Sequence, residues 1–296
     1  MTRKIHQGLL VQTYQHPFDR KALFALEKMP GLPLLLKKIN EYGIDRLLRL
    51  QTKGGELRVS PRNFPKLHNA LVETCLLLDC PQPDLYLYLG KGSISTYAIG
   101  VEKPLIGVNL EAMEWLSDEE LLFVLGHEIA RIKGGYLTYQ QLASVMPLLK
   151  NLISSTTLGL GGLAANGIEV ALYNWIIMSK FTADRIGLLA CQNQDVAIAA
   201  LIKLGGLPSD YLSPEVIEDF LAQAREFNIQ DLDRLDQVTK IFSFMEYLYP
   251  WSIMRASELL KWVDSGMYEP SGQEPESEQS DKPSEPPEQW NFLSSW

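Results

Sequence analysis

Residues 117–131 read SDEELLFVLGHEIAR, and this stretch decides the fold. Ser117 followed three positions later by Glu120 is the pattern of a reciprocal helix cap: the Ser117 hydroxyl takes the Glu120 amide and the Glu120 carboxylate takes the Ser117 amide. Leu121, Leu122, Val124, Leu125 and Ile129 then form a buried stripe, and Gly134-Gly135 ends the run. The start of the helix is therefore well defined. Positions four apart lie on one face of it, so His127 and Arg131 share a face and Glu128 sits between them.

Upstream, Asp84–Leu89 and Tyr97–Val108 have the β-rich composition and glycine breaks of a small antiparallel sheet. Glu56–Ser60 alternates like a further strand, and Pro65–Leu78 reads as a helix. Residues 17–52 carry apolar positions at helical spacing, punctuated by Pro30, Gly31 and Pro33, and predict a short helical lead-in. Downstream, helices are predicted at Leu142–Ile153, through Ala190, and over 194–204, 214–226, 231–248 and 251–264. The fold class expected is α+β, a mostly helical domain over residues 1–268 with a small antiparallel sheet beside the motif helix. Residues 269–296 hold five prolines, seven acids and one lysine. Such a segment cannot bury enough surface to offset its ordering entropy and is expected to be a disordered acidic tail. Its end groups Trp290, Phe292, Leu293 and Trp296, apolar side chains that could dock in a groove.

The 296 residues carry a formal charge of −9, which argues against a nucleic-acid surface, because that needs clustered Lys and Arg. The tail holds most of this charge, so the folded part is expected to be near neutral. Cys75, Cys80 and Cys191 are odd in number and lack zinc-finger spacing, and the first fifteen residues have no apolar stretch of signal length. Both features point to a reduced, cytoplasmic compartment, with the cysteines as small buried apolar residues. His6, His16 and His68 have no partner at ligand spacing and are expected in ordinary core or surface roles.

His-Glu-x-x-His on a helix gives a zinc ion two imidazoles, while the Glu faces the metal-bound water as general base. Here His127 and Glu128 are present and the second His is Arg131. The order of features, LGHEI at 125–129 on a capped helix after a small sheet, SKFTADR at 179–185, then Tyr249-Pro250 with Arg255, resembles the zinc metallopeptidases that include the heat-shock protease HtpX and the CAAX prenyl protease. That resemblance covers residues 8–265 and implies a zincin-like metallopeptidase fold. It implies His127 as a zinc ligand, Glu128 as general base, position 180 as a third ligand supported by Asp184, and positions 249 and 255 beside the reacting carbonyl. This chain has Lys180 where the family has Glu, and Tyr249 where the family has His.

Arg is always protonated and Lys would have to give up its proton, so Arg131 and Lys180 repel a divalent cation. The peptidase chemistry is accordingly read as lost, with Glu128 vestigial and no cofactor expected. The leading expectation is a non-catalytic pseudopeptidase whose cleft, or whose tail, binds a protein or peptide. The rival is an active zinc metalloendopeptidase in which His127 and other groups, Asp184 or Cys191 among them, hold the metal. Arg131 and Lys180 bring two positive charges to the place where zinc carries two, and an ion-pair network of Glu128, Arg131, Lys180 and Asp184 is expected to join the two helices. Residues 151–168 are uncharged and near the length of a membrane span, but their Gly, Ser, Thr and Asn content favours a buried or surface hairpin over insertion. The full-length protein is therefore expected to stay out of carbonate-washed membrane pellets, and recovery there would establish insertion.

Overall fold

The computed structural model describes residues 3–90, 92–155, 162–228 and 251–268. The helix expected at 231–248, Tyr249, and the tail with Trp290, Phe292 and Trp296 lie outside the described residues.

The lead-in forms three helices, α1 (Pro17–Glu27), α2 (Leu32–Glu41) and α3 (Ile44–Gly55); Pro30 and Gly31 mark the first break, and the second falls at Gly43, outside the predicted signals. Strand β1 (Leu57–Arg58) and helix α4 (Pro65–Leu77) follow, then β2 (Asp84–Tyr88), β3 (Thr96–Ile99) and β4 (Leu105–Asn109). After a short helix α5 (Leu110–Trp115) comes the motif helix α6 (Asp118–Lys133). The rest is helical: α7 (Leu137–Ser155), α8 (Gly162–Cys191), α9 (Gln194–Leu204), α10 (Pro214–Glu226) and α11 (Ser252–Asp264).

The predicted cap of α6 is present in both directions, with Glu120 N bonded to Ser117 Oγ at 3.2 Å and Ser117 N to Glu120 Oε2 at 2.7 Å. The same carboxylate oxygen takes Lys203 Nζ at 2.7 Å, which fixes α9 to the start of α6. The chain is α+β and mostly helical, but the sheet is mixed rather than antiparallel. Its order is β1-β2-β4-β3, and the central β2 and β4 run parallel, from Asp84 opposite Leu105 to Tyr88 opposite Asn109. The chain reverses after β3, and β4 enters between β3 and β2. Every residue of β4 is buried, as parallel central strands require, whereas β3 is left half-buried at the edge.

Two apolar clusters make the core. One joins α4, α6, α9 and the sheet, and the other joins α1 and α2 to α7 and α8. The second is anchored by Asp19, which is fully buried and accepts from Thr182 Oγ1 (2.6 Å), Trp175 Nε1 (3.0 Å), Tyr136 OH (3.0 Å) and Gln15 Nε2 (3.3 Å). Burial still pushes its carboxyl above the usual range, against the pull of these four donors. His16 has the ordinary role expected of it: Nδ1 accepts from Phe18 N and caps α1, while Nε2 meets Glu258 at 3.1 Å. α7 and α8 pack on one another. Among the described residues, no helix is long and apolar enough to cross a membrane.

Helices α6 and α8 approach each other closely. A Cβ at Gly126 would stand 2.8 Å from Ala190 Cβ and 3.0 Å from Gly187 Cα, and one at Gly187 would stand 2.7 Å from the Phe123 carbonyl oxygen. The two glycines let the backbones approach closely enough for side chains 57 positions apart to meet, as His127 and Asp184 do. Gly187→Ala forces the helices apart. Overpacking of this kind costs about 1–3 kcal/mol, and Tm should fall by several degrees in a thermal melt. An unchanged Tm would mean that the contact is slack.

Candidate functional site

His127, Glu128 and Arg131 lie on α6, Lys180 and Asp184 on α8, and Arg255 on α11. Except for Asp184, which stands behind the others, all of them line one cleft of about 140 Å³, together with Ile94, Ser95 and Thr96 at the start of β3. The sequence-predicted residues on described elements are thus brought together, except Cys191, which lies at the end of α8 with its thiol on the Leu188 and Asn193 carbonyls and does not line the cleft.

Asp184 organises the group. It is 1% exposed and takes Arg255 through two bonds, Nε to Oδ2 at 2.8 Å and Nη2 to Oδ1 at 2.6 Å. Oδ1 also accepts from His127 Nδ1 at 2.8 Å. Arg255, followed by His127, holds the Asp184 carboxyl far below its usual range despite burial. Because Nδ1 donates to Asp184, the 3.4 Å approach of Arg255 Nη2 to the same nitrogen sets two donors face to face and is no bond. The proton on Nδ1 leaves Nε2 with the lone pair, and Arg131 Nη2 donates to it at 3.0 Å. Burial, with Arg131 and Arg255 beside it, lowers the imidazole to about 4, so His127 is neutral near pH 7.

Glu128 is 1% exposed and accepts from Thr96 Oγ1 at 2.7 Å. Its other oxygen stands 3.7 Å from Arg131 Nη1, an ion-pair distance without a hydrogen bond. Lys180 lies in the same cleft. Burial first, then Arg255 and Arg131, lower its ammonium to about 7, and Asp184 and Glu128 oppose the shift.

This network differs from the expected one in who pairs with whom. Asp184 is compensated by Arg255 and not by Arg131, and Arg131 spends its shortest bond on the imidazole. Arg255, expected beside a reacting carbonyl, is 5% exposed and committed to Asp184. Thr96 was absent from the predicted set. A threonine on a short strand carries no motif, and only the sheet order places it on Glu128.

The model for peptidase family M48 matches residues 61–262. The chloroplastic plastoglobule-localized metallopeptidase 48 of Arabidopsis thaliana is 29% identical over 268 residues, which cover 89% of this chain and 76% of that protein. A protease HtpX homolog of Moorella thermoacetica is 25% identical over 192 residues, covering 57% of this chain and 63% of that one. Protease HtpX homolog 2 of Methanosarcina acetivorans is 24% identical over 189 residues, covering 56% and 64%. The chain thus spans just under two thirds of the length of the two HtpX homologues. No solved structure matches. The family model takes in both motif helices and most of α11, and the chain belongs to peptidase family M48.

Proposed function

We propose that the chain is a pseudopeptidase, a member of its family that holds an extended protein or peptide segment in the cleft beside β3 and does not cleave it. The observation that carries this reading is the 3.0 Å bond from Arg131 to His127 Nε2. The lone pair that an imidazole in this tautomer would offer to a metal is already used by a guanidinium, and a guanidinium has no lone pair of its own to offer. The residues at the family's ligand positions therefore do not fit zinc, which takes three protein ligands drawn from neutral imidazole, thiolate and carboxylate. Among the described residues, no group of three or more His, Cys, Asp or Glu is gathered as a metal requires.

Binding has separate support. β3 is the last strand of the sheet order, and the residues at its start line the cleft. A segment added along such an edge is held by backbone hydrogen bonds and needs no metal. Two buried polar atoms of the cleft residues, Glu128 Oε2 and Arg131 Nε, have no hydrogen-bond partner among the described residues. One is an acceptor and the other a donor, and a peptide group offers one of each.

Protein purified without a histidine tag should carry no stoichiometric zinc by elemental analysis, and the double variant Arg131→His with Lys180→Glu should gain it. One zinc per wild-type chain would make the protein a metallopeptidase with an altered ligand set, to be assayed for proteolysis.

The crowded cations give a second test. A lysine whose folded value of about 7 lies below the 10.5 of an unperturbed side chain binds its proton more readily when unfolded. Its effect is to raise stability as pH climbs from about 7 toward 10.5, with the full penalty present below that window. Lys180→Met removes the penalty. The variant should melt above wild type at neutral pH and below, and the gap should close as pH rises through the window. A gap independent of pH would show that Lys180 keeps an ordinary ammonium.

A further inference from the structure

Helix α3 turns a leucine pair outward and polar side chains inward. Its polar side chains hold it to the protein: Asp45 accepts from Gln141 Nε2 at 2.7 Å and from Val101 N at 2.8 Å and pairs with Arg49 at 2.9 Å, while Thr52, 5% exposed, bonds Tyr97 OH at 2.9 Å. Two of its three leucines face out, Leu47 50% and Leu50 56% exposed, while Leu48 is half-buried. At 100° per residue, Leu47 and Leu50 form one stripe, and the exposed Arg46 and Lys53 run along the flank of that stripe. The only acid in α3 is Asp45, which is engaged on the inner side. The charge is regional as well: residues 17–55 hold eight Lys and Arg against four Asp and Glu, in a chain whose formal net charge is −9.

We propose that the outward face of α3 is a docking surface for an anionic lipid bilayer, with Leu47 and Leu50 entering the acyl boundary and Arg46 and Lys53 meeting the headgroups. Apolar side chains bordered by cations on one exposed helical face are the pattern of a helix lying in the plane of a membrane interface. Charge complementarity selects the occupant. A second copy packed two-fold on this face would set Arg46 and Lys53 against themselves, whereas an anionic leaflet attracts both. The contact is peripheral and is independent of the cleft and of whether the chain cleaves peptides.

The test is co-sedimentation of the full chain with phosphatidylcholine vesicles that contain or lack phosphatidylglycerol, at low and high salt. Binding is expected only to the anionic vesicles, and it should weaken with salt. Leu47→Ser with Leu50→Ser should weaken it by about tenfold or more, from the lost apolar contact. Arg46→Gln and Lys53→Gln should each weaken it by about fivefold. Because all four side chains are exposed, these variants should melt with the wild type, and their loss of binding then reports the surface and not the fold. Absence of vesicle binding by wild type, equal binding to neutral vesicles, or undiminished binding by the leucine variant would overturn the proposal. Loss of binding on removal of residues 269–296 with α3 intact would do the same and assign the contact to the tail. A vesicle-free dimer that the leucine variant abolishes would assign the face to a second copy.

Discussion

A carboxylate removed from water must be met by donors or cations, and Asp184 on α8 is met by two groups from two other helices. Arg255 comes from α11 and His127 from α6, so one side chain sets the relative position of three elements. Breaking such a buried pair by deleting one partner typically costs about 3–5 kcal/mol. The cleft inherits its geometry from this junction: Asp184 fixes the tautomer of His127, the tautomer presents Nε2 to Arg131, and Arg131 then stands within ion-pair distance of Glu128. The close approach of Gly126 and Gly187 is the packing condition under which the junction can form.

The charge arrangement also explains how a protein of this family can keep its helices together with cations on the ligand positions. The bonds between helices are those of Arg255 and His127 to Asp184, whereas Arg131 contacts the imidazole and the neighbouring carboxylate within α6 itself. Lys180 adds a further positive charge to a place already holding two guanidinium groups, and burial, with these neighbours, lowers its ammonium. The three helices around the cleft are therefore joined at Asp184, through Arg255 and His127.

What could be read in the sequence was what depends on near neighbours. The cap of α6, the shared face of His127 and Arg131, and the break between α1 and α2 all follow from spacings of three or four residues or from Pro and Gly signals. The pairing of Asp184 with Arg255, 71 positions away, has no local signature. The parallel pairing of β2 and β4 was likewise hidden. Short strands show their alternation but not their neighbour, and an antiparallel reading of three successive strands was the simpler one. Thr96 belongs to the same class, visible only once β3 is known to be the edge beside Glu128.

The cradle around Asp19 has a consequence for the order of events as the chain is made. Three of its donors, Tyr136, Trp175 and Thr182, lie 117, 156 and 163 residues downstream. At a synthesis rate of about 5–20 residues per second, the first helix waits roughly 8–30 s for the last of them to be made. Through that interval α1 to α3, rich in leucine and lysine, leave the ribosome without the surface they will pack on. The N-terminal helices are thus the first part synthesised and among the last to be seated. This is the stage at which a chaperone or a nearby membrane would meet them.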